Sequence, residues 1–596
     1  MTSHNYIILL APEIVLVIGA SLALLTGLSG RASAQNAARW MGVLTIVGAM
    51  AAFCLWGWPA ALQDSQPAGF HVTSLTWYVR LTALLVGLLT MLINLHVPET
   101  WERGEYGSMV LFSLAGITLT AGADDFVTLF LSLELVSVPT YALVAAGSAD
   151  IRSQEAGLKY FFLGALAAAI FVYGFSFLYG AAGTTQLSGL AAALNIGNAC
   201  TRIGLLLAIA GLAYKIAAVP LHVYAPDVYQ GAASPVTGLL GFFPKAAGFV
   251  AIIKLLALVA PGTAGLAAVI SWTPPTALFW LIWVLAALTM TVGNCVALMQ
   301  TNAKRILAYS SIAHSGYMLV AVLVGPAALG SPMRDGWAAM LFYVVAYGVM
   351  NLGAFGALAC LRVQGRPAEE LDDLAGLART HPAVALALAV CCFSLMGMPP
   401  TLGFIGKVYV FTGALSLDAG DPHRAAMIVL VVVGLVNSAI AAVYYLRIIG
   451  ACYLREPRES SVLVSDRSLA VGVAACAILV VLLGLWPRDL FRLAGYAASD
   501  MWPVPRATGR EEAPESPEAG EAEPADHQSS GNRYRPASSK RTAAFSGRFF
   551  APTISTRRPA PSGTVAVTIN GCQAVSRIMY TCGSRSVRGC QPPSGF

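Results

Sequence analysis

From Ile203 to Thr237 the chain reads IGLLLAIAGLAYKIAAVPLHVYAPDVYQGAASPVT. The segment Ile203–Pro220 is apolar enough to cross a lipid bilayer, yet it contains Lys215 and closes on Pro220. A lysine at the centre of a membrane helix costs ~3 kcal/mol on insertion scales. Proline removes a backbone donor and clashes with the preceding turn, so the helix must open there. His222, Pro226 and Asp227 follow before apolar character resumes. Open backbone survives at membrane depth only where it is buried in protein or lines a wet cavity. The stretch therefore predicts a membrane protein with a broken helix against a polar interior.

The remainder of the chain has the same character. Its 596 residues are 57% hydrophobic and 11% charged, where a soluble domain carries about 25% charged residues. Lipid must solvate most of that apolar surface. Spanning stretches are expected at Tyr6–Leu28, Met41–Trp58, Ser74–Leu95, Gly107–Gly122, Phe126–Ala146, Glu155–Gly180, Ile203–Pro220, Val236–Val259, Thr276–Met299, Ile306–Val324, Gly336–Leu361, Pro382–Leu415, Ala425–Leu454 and Ser468–Trp486. The first residues, MTSHNYI, lack the basic region of a signal peptide, so Tyr6–Leu28 reads as the first span. Alternate connections carry Arg31 and Arg39, Arg103, Arg152, Lys304 and Arg305, then Arg362, Arg366 and Arg379, then Arg455, Arg458 and Arg467. The others hold Asp64, Asp124 and Asp125, or only Arg334 and Arg424. By the positive-inside rule the arginine-bearing side is cytoplasmic, and with about 14 spans both termini face outward, the periplasmic side of a bacterial inner membrane.

A second interruption, Gly397-Met398-Pro399-Pro400, falls within Pro382–Leu415. Two broken helices five spans apart suggest paired five-helix units, as in transporters built from inverted repeats. The expected fold is thus an all-α membrane protein with two discontinuous helices and an inverted five-helix repeat, over residues 1–490. Residues 503–596 are rich in Pro, Ser, Arg and Glu and read as a disordered extension. The tail holds 12 Lys+Arg against 7 Asp+Glu, so it accounts for +5 of the net +6, and the basic balance gives no reason to expect a nucleic-acid partner. Eight of the 11 cysteines lie in or beside apolar segments, with no paired CxxC, and read as buried thiols rather than metal ligands.

Lysine is the most informative residue. Six precede the tail: Lys159, Lys215, Lys245, Lys254, Lys304 and Lys407. The loops use arginine, while all of these except Lys304 fall inside apolar segments. Unlike arginine, lysine can release its proton when a low-dielectric site disfavours the charge. Glu134 stands mid-span with no other carboxylate within eight residues. At ~5 Å and an effective dielectric of ~20, a Glu–Lys pair is worth ~3 kcal/mol. That is comparable to moving one charge against ~100–150 mV. Forming and breaking such a pair could drive a lysine between its charged and neutral states.

Several blocks resemble the antiporter-like subunits of respiratory complex I: ELVSVPTYAL from Glu134, GLKYFFLGAL from Gly157, KIAAVPLHVYAPDVYQGAASPVT from Lys215, FPKAAGF from Phe243, NAKRILAYSSIAHSGYML from Asn302, MNLGAF from Met350 and MPPTLGFIGK from Met398. The resemblance runs from about residue 5 to about 490, and DVYQGA from Asp227 with the lysine after the second proline pair points to the subunit N family. It implies a proton-translocating membrane subunit of NADH–quinone oxidoreductase. Glu134 and Lys215 would be its gated pair, Lys245 the central carrier, Lys407 the exit group, and Lys159 a lysine near the pair. It implies no cofactor in this chain, with FMN, iron–sulfur clusters and quinone in partner subunits, and other complex I membrane subunits as partners. The departures are Leu221 and Tyr224, where the family often has Phe and Trp, and the tail.

Plainer readings stand beside these. Glu134, Lys215, Lys245 and Lys407 could be static braces between helices. Lys159 could simply pair with Glu155 at i,i+4, and Lys254 could snorkel. Lys304 and Arg305 mark a helix entry, while His222 and His314 are either secondary relay groups or satisfied core histidines. A subunit of a multisubunit cation/proton antiporter is the alternative function.

Overall fold

Polar residues in the short connections set where helices begin. Asp125 accepts from the backbone N–H of Val127, Asp150 from Arg152, Asn302 from Arg305, Asp335 from Ala338 and Asp466 from Ser468. Each side chain thereby satisfies a donor that has no partner within its helix. The computed structural model describes residues 7–29, 31–56, 69–95, 103–147, 150–259, 272, 274–326, 332–457, 461–464 and 466–499. Tyr6, Trp58, Asp64, Arg458 and the extension 503–596 lie outside the described residues, as do both termini.

The helices are α1 (Ala11–Gly27), α2 (Ala32–Trp56), α3 (Ser74–Asn94), α4 (Arg103–Gly122), α5 (Phe126–Ala145), α6 (Ile151–Ala182), α7 (Leu187–Ala193), α8 (Ala199–Lys215), α9 (Ala225–Gly231) and α10 (Ser234–Leu240). They continue with α11 (Phe243–Ala257), α12 (Thr276–Leu298), α13 (Ala303–Val324), α14 (Gly336–Ala359), α15 (Leu377–Thr380), α16 (Pro382–Met396), α17 (Leu402–Leu415), α18 (Arg424–Leu454), α19 (Arg467–Leu485) and α20 (Arg488–Ser499). Among the described residues, ten helical segments are long and apolar enough to cross a membrane, with α10 and α11 counted together. The apolar helices α1, α16 and α17 are shorter.

The second helix begins at Ala32, nine residues before the expected Met41, and the proline sites break the expected spans. The span expected to reach Pro220 stops at Lys215, because Ala217 takes a left-handed φ of +56° and turns the chain. The expected span Pro382–Leu415 is two helices, separated at Gly397 (φ +91°) and resuming at Leu402. Proline at either site has no N–H to continue the ladder.

Burial divides the bundle into a centre and a rim. Every residue of α14 except Ala359 is buried, and nearly all of α11 and α13 are too. On α6 and α18, by contrast, Leu158, Phe162, Leu166, Val432, Leu435 and Val436 are exposed. Such uncovered apolar surface is costly in water and natural against lipid or a membrane partner. Close approach in the centre depends on small residues: a Cβ on Gly293 of α12 would lie 2.8 Å from the Ala313 nitrogen of α13.

A small sheet of three strands, β1 (Leu361–Val363), β2 (Arg366–Pro367) and β3 (Ser461–Leu463), runs in the order β2-β1-β3. Both pairings are antiparallel. The hairpin it contains is fastened to the start of α13 through Ala303 N–H to Glu369 C=O (2.6 Å) and Leu371 N–H to Thr301 C=O (3.1 Å).

Candidate functional site

Lys215 is the last residue of α8. Helix C-terminal carbonyls favour a cation there. Its Nζ lies 2.8 Å from Glu134 Oε1 on α5 and donates to the Ser137 hydroxyl one turn along that helix. The lysine is buried, while 22% of the Glu134 side chain is exposed. The ammonium also faces the Phe171 ring of α6 at 5.8 Å. The sequence anticipated this pair, and the structure brings it together.

After Lys215 the open segment folds back on itself. The Tyr224 ring stacks on Tyr214 (4.3 Å) and Tyr160 (5.2 Å), and its hydroxyl donates to the Tyr214 carbonyl at 2.9 Å. Tyr224 is therefore an integrated packing residue. His222 lies in the same segment with its Nδ1 buried and unpartnered among the described residues. A small cavity bounded by Lys215, Tyr160, Tyr224, Tyr229 and Lys245 leaves about 10 Å³ for a water centre, roughly one molecule.

Lys245 stands on the far side of that cavity, in the first turn of α11. Its Nζ donates to the Ser311 carbonyl and to the Ser315 hydroxyl (2.8 Å), and Ser315 donates to the Ile216 carbonyl at 2.6 Å. Ile216 directly follows Lys215, so one serine ties the surroundings of the two lysines together. The Lys245 ammonium lies 5.2 Å from the Tyr347 ring centroid. Tyr347 packs on His314 at 4.9 Å, His314 packs on Tyr317 at 5.8 Å, and the Lys407 ammonium lies 4.9 Å from Tyr317. Lys407 Nζ donates to the carbonyl of Met396, the residue at which α16 ends. Neither Lys245 nor Lys407 faces a carboxylate in an ion pair among the described residues. Both are held by neutral acceptors.

The remaining lysines sit elsewhere. Lys159 is held by Glu155 (2.8 Å) and Asp227 (2.9 Å) on an exposed flank. Its link to α9 through Asp227 goes beyond the expected i,i+4 pair, because Asp227 also accepts from Arg305 at 3.0 Å. Lys304 is buried, donates to the carbonyls of Gln230 (2.8 Å) and Ala232 (2.7 Å), and pairs with Glu369 at 3.1 Å. It thus closes the end of α9 as well as marking a helix entry. Lys254 reaches the Ala123 carbonyl at 2.6 Å, beside Asp124, as a snorkelling side chain would.

Sequence reasoning passed over a second buried ion pair. Arg80 on α3 donates Nε–H to Glu13 Oε1 (2.7 Å) and Nη2–H to Glu13 Oε2 (2.8 Å), and also reaches the Leu9 carbonyl (2.8 Å). Both residues stand in apolar runs. A charge in an apolar run marks this pair as it marks the lysines, but a guanidinium keeps its proton and so points to no proton relay.

A family profile described as NADH:quinone oxidoreductase/Mrp antiporter, TM, matches residues 123–440, which include Glu134, Lys215, Lys245 and Lys407. That match and the buried helical centre define the class: a multi-pass membrane protein of the complex I/Mrp type. The NADH-quinone oxidoreductase subunit N of Trichlorobacter lovleyi is 36% identical over 82% of this chain and 96% of its own length. That of Rhodospirillum rubrum is 36% identical over 80% of this chain and 93% of its own length. A chain of respiratory complex I from Thermus thermophilus with bound aureothin superposes with a TM-score of 0.65 at 31% identity, over 81% of this chain and 99% of that one. A chain of the Mrp complex from Dietzia, at 21% identity and a TM-score of 0.66 over 84% of this chain and 98% of that one, shares the fold. The chain belongs to the NADH-quinone oxidoreductase subunit N family.

Proposed function

We propose that this chain is a proton-translocating membrane subunit of an NADH–quinone oxidoreductase, coupling electron transfer in partner subunits to proton movement through a Glu/Lys relay. In this reading Glu134 and Lys215 form a pair that closes and opens, Lys245 is the central carrier, and Lys407 passes protons to the outer side. His314 and His222 are secondary groups, and Lys159 and Lys304 fix the charge around α9. Residues 1–490 form the membrane domain of about 14 spans, with discontinuous helices at α8–α9 and α16–α17 and an inverted five-helix repeat. Residues 503–596 are an extension. The chain resides in a bacterial inner membrane with both termini periplasmic, beside other membrane subunits of the complex, and FMN, iron–sulfur clusters and quinone belong to partners.

The observation that carries this reading is the row of buried groups across the interior: hydrogen bonds link the Glu134–Lys215 segment to Lys245 through Ser315 and Ile216, and ring contacts run on from Lys245 through Tyr347, His314 and Tyr317 to Lys407. Charged groups inside a membrane protein are costly and mark ion paths. A static brace would need only one carboxylate per lysine, and two of these lysines have none among the described residues. The antiporter reading shares the fold, but the relatives at 36% identity carry the oxidoreductase name.

The test is proton uptake driven by NADH oxidation in inverted membrane vesicles containing the whole complex. Lys215→Ala and Glu134→Ala should each leave the complex assembled while cutting pumping and coupled quinone reduction at least tenfold. Normal pumping in both variants would refute the role.

A further inference from the structure

The imidazole of His314 is held on both sides by tyrosine hydroxyls. Its Nδ1 lies 2.9 Å from the hydroxyl of Tyr343 on α14, and its Nε2 lies 3.1 Å from the hydroxyl of Tyr445 on α18. Tyr445 is bonded in turn to the hydroxyl of Ser310, one turn before His314 on α13. All four side chains are fully buried. The ring is faced by Tyr317 of its own helix and by Tyr343 and Tyr347 of α14. Lys245 of α11 and Lys407 of α17 act on it electrostatically.

The two hydroxyls lie toward opposite ends of α13. Ser310 precedes His314, and Tyr445 is close in sequence to Arg447, which donates to the carbonyls of Leu298 (2.7 Å) and Gln300 (3.2 Å) just before α13 begins. Tyr445 therefore approaches from the Ala303 end. Tyr343 belongs to the first half of α14, whose Gly336 N–H is bonded to Gly325 C=O at the far end of α13 (2.8 Å). The Tyr343 ring also packs against Gly406, the neighbour of Lys407.

We infer that Tyr445 and Tyr343 form a hydroxyl clamp that makes His314 a directional proton bridge from the Lys245 side to the Lys407 side. The inference rests on the proposed proton path and adds two positioning residues to it. In the starting arrangement, Nδ1–H donates to the Tyr343 oxygen and Nε2 accepts from the Tyr445 O–H. An excess proton arriving from the Lys245 side, where the ammonium is bonded to the Ser311 carbonyl of the same helical turn, enters at the Ser310 oxygen. Ser310 passes its own proton to Tyr445, and Tyr445 passes its own to Nε2, forming imidazolium. Nδ1 then releases its proton to Tyr343, and the former Tyr343 hydroxyl proton leaves to the neutral Lys407 amine. One proton enters, one leaves, and no electrons are transferred. Every donor has now reversed, so no second proton crosses until the hydroxyls turn back and the imidazole regains its first tautomer. The hydroxyls thus fix which nitrogen takes up the proton and which releases it, an orientation that a histidine free to flip would lack.

The experiment uses the intact complex in inverted vesicles, with NADH-driven proton uptake measured in H2O and D2O. Tyr445→Phe and Tyr343→Phe each remove one hydroxyl, and Lys215→Ala reports on the underlying path. Assembled complex should remain at the wild-type amount. Each tyrosine variant should lower proton uptake about tenfold and raise the solvent isotope effect on the coupled rate about twofold, with the double variant no worse than either single one. If Lys215→Ala stops uptake while both tyrosine variants pump at the wild-type rate, the clamp is wrong and the path stands. A lower rate with an unchanged isotope effect means the tyrosines only pack, and the clamp is overturned. Normal uptake in Lys215→Ala removes the path and the clamp with it. Should Tyr445→Phe fail to assemble, Ser310→Ala deletes the entry hydroxyl with less loss of packing and gives the same readout.

Discussion

Replacing both partners of the Glu134–Lys215 pair with neutral residues of similar volume, Glu134→Gln with Lys215→Met, separates relay from brace. The pair is close, 2.8 Å from Nζ to Oε1. At an effective dielectric of ~20 the gross attraction is about 6 kcal/mol. That gain is set against the desolvation of both charges and is trimmed by the solvent reaching Glu134. Removing one partner strands the other and costs about 3–5 kcal/mol. Removing both is close to neutral for stability, because the uncompensated charge disappears with its partner. Each single truncation should therefore assemble but melt lower, while the melting temperature of the double variant in detergent should lie within a few degrees of wild type. If the pair is a proton-handling switch, pumping falls below a tenth of wild type even though stability has returned. NADH-driven quenching of a pH-sensitive dye in inverted vesicles, normalised to assembled complex, measures this. Wild-type pumping in the double variant would show that the pair only braces helices, and the relay would fail.

Three further outcomes are expected. Gly397→Ala forces a side chain into a φ of +91° and places a Cβ 3.0 Å from Lys407 Cδ, so strain of about 1–2 kcal/mol should appear as a lower melting temperature, with reduced pumping because Lys407 is displaced. Glu13→Gln leaves the buried Arg80 charge unpaired and should destabilise the assembled subunit by about 3–5 kcal/mol in a thermal melt, while pumping per assembled complex is retained. Asp373 is buried, which pushes its carboxyl up, but the hydrogen-bonded Arg366 guanidinium and the N–H groups of Glu370 and Glu369 outweigh this and hold it below its ordinary 3.8. A depressed folded value stabilises above the unfolded value and is lost as pH falls through the folded one. The stability difference between wild type and Asp373→Asn should therefore be constant from about pH 8 to 5 and shrink below about pH 4, as thermal melts across that range would show.

The legibility of the fold followed from single residues that conflict with their surroundings. Lys215 and Lys407 stood out because the apolar runs around them left no other use for a charge, and the prolines beside them announced the helix breaks. The sequence could not say where each helix stops. Pro220 suggested an end five residues past the true one at Lys215, because the left-handed turn at Ala217 depends on packing that periodicity does not encode. The partners of Lys245 were equally hidden. Its hydrogen bonds go to Ser311 and Ser315, some seventy positions away and of a residue type too common to single out. Lys159 showed the opposite failure: its neighbour Glu155 was visible by spacing, whereas Asp227 reaches it only because α9 folds back against α6.

The broken helices and the lysines are parts of one device. A continuous helix leaves its last carbonyls without N–H partners only at its ends, which normally lie in water. Interrupting α16 at Met396 brings such a carbonyl into the interior, and the Lys407 ammonium takes it. Ending α8 early puts Lys215 itself at a helix terminus, and ending α9 offers the Gln230 and Ala232 carbonyls to Lys304. Partial negative charge from a helix end stabilises a cation by about 0.3–2 kcal/mol, far less than a buried carboxylate would. A lysine held this way gives up its proton without stranding an ionised acid beside it, so the site is comfortable in both states. A lysine opposite a carboxylate is biased toward one state until the pair separates, which fits the proposed roles of Lys215 as gate and of Lys245 and Lys407, both held by neutral acceptors, as carriers. That division predicts the result of placing an acid on the axis: Ser315→Asp, beside Lys245, should leave the subunit assembled but lock Lys245 in an ion pair and slow coupled pumping about tenfold. Unimpaired pumping in that variant would mean that neutral acceptors are not what lets Lys245 turn over.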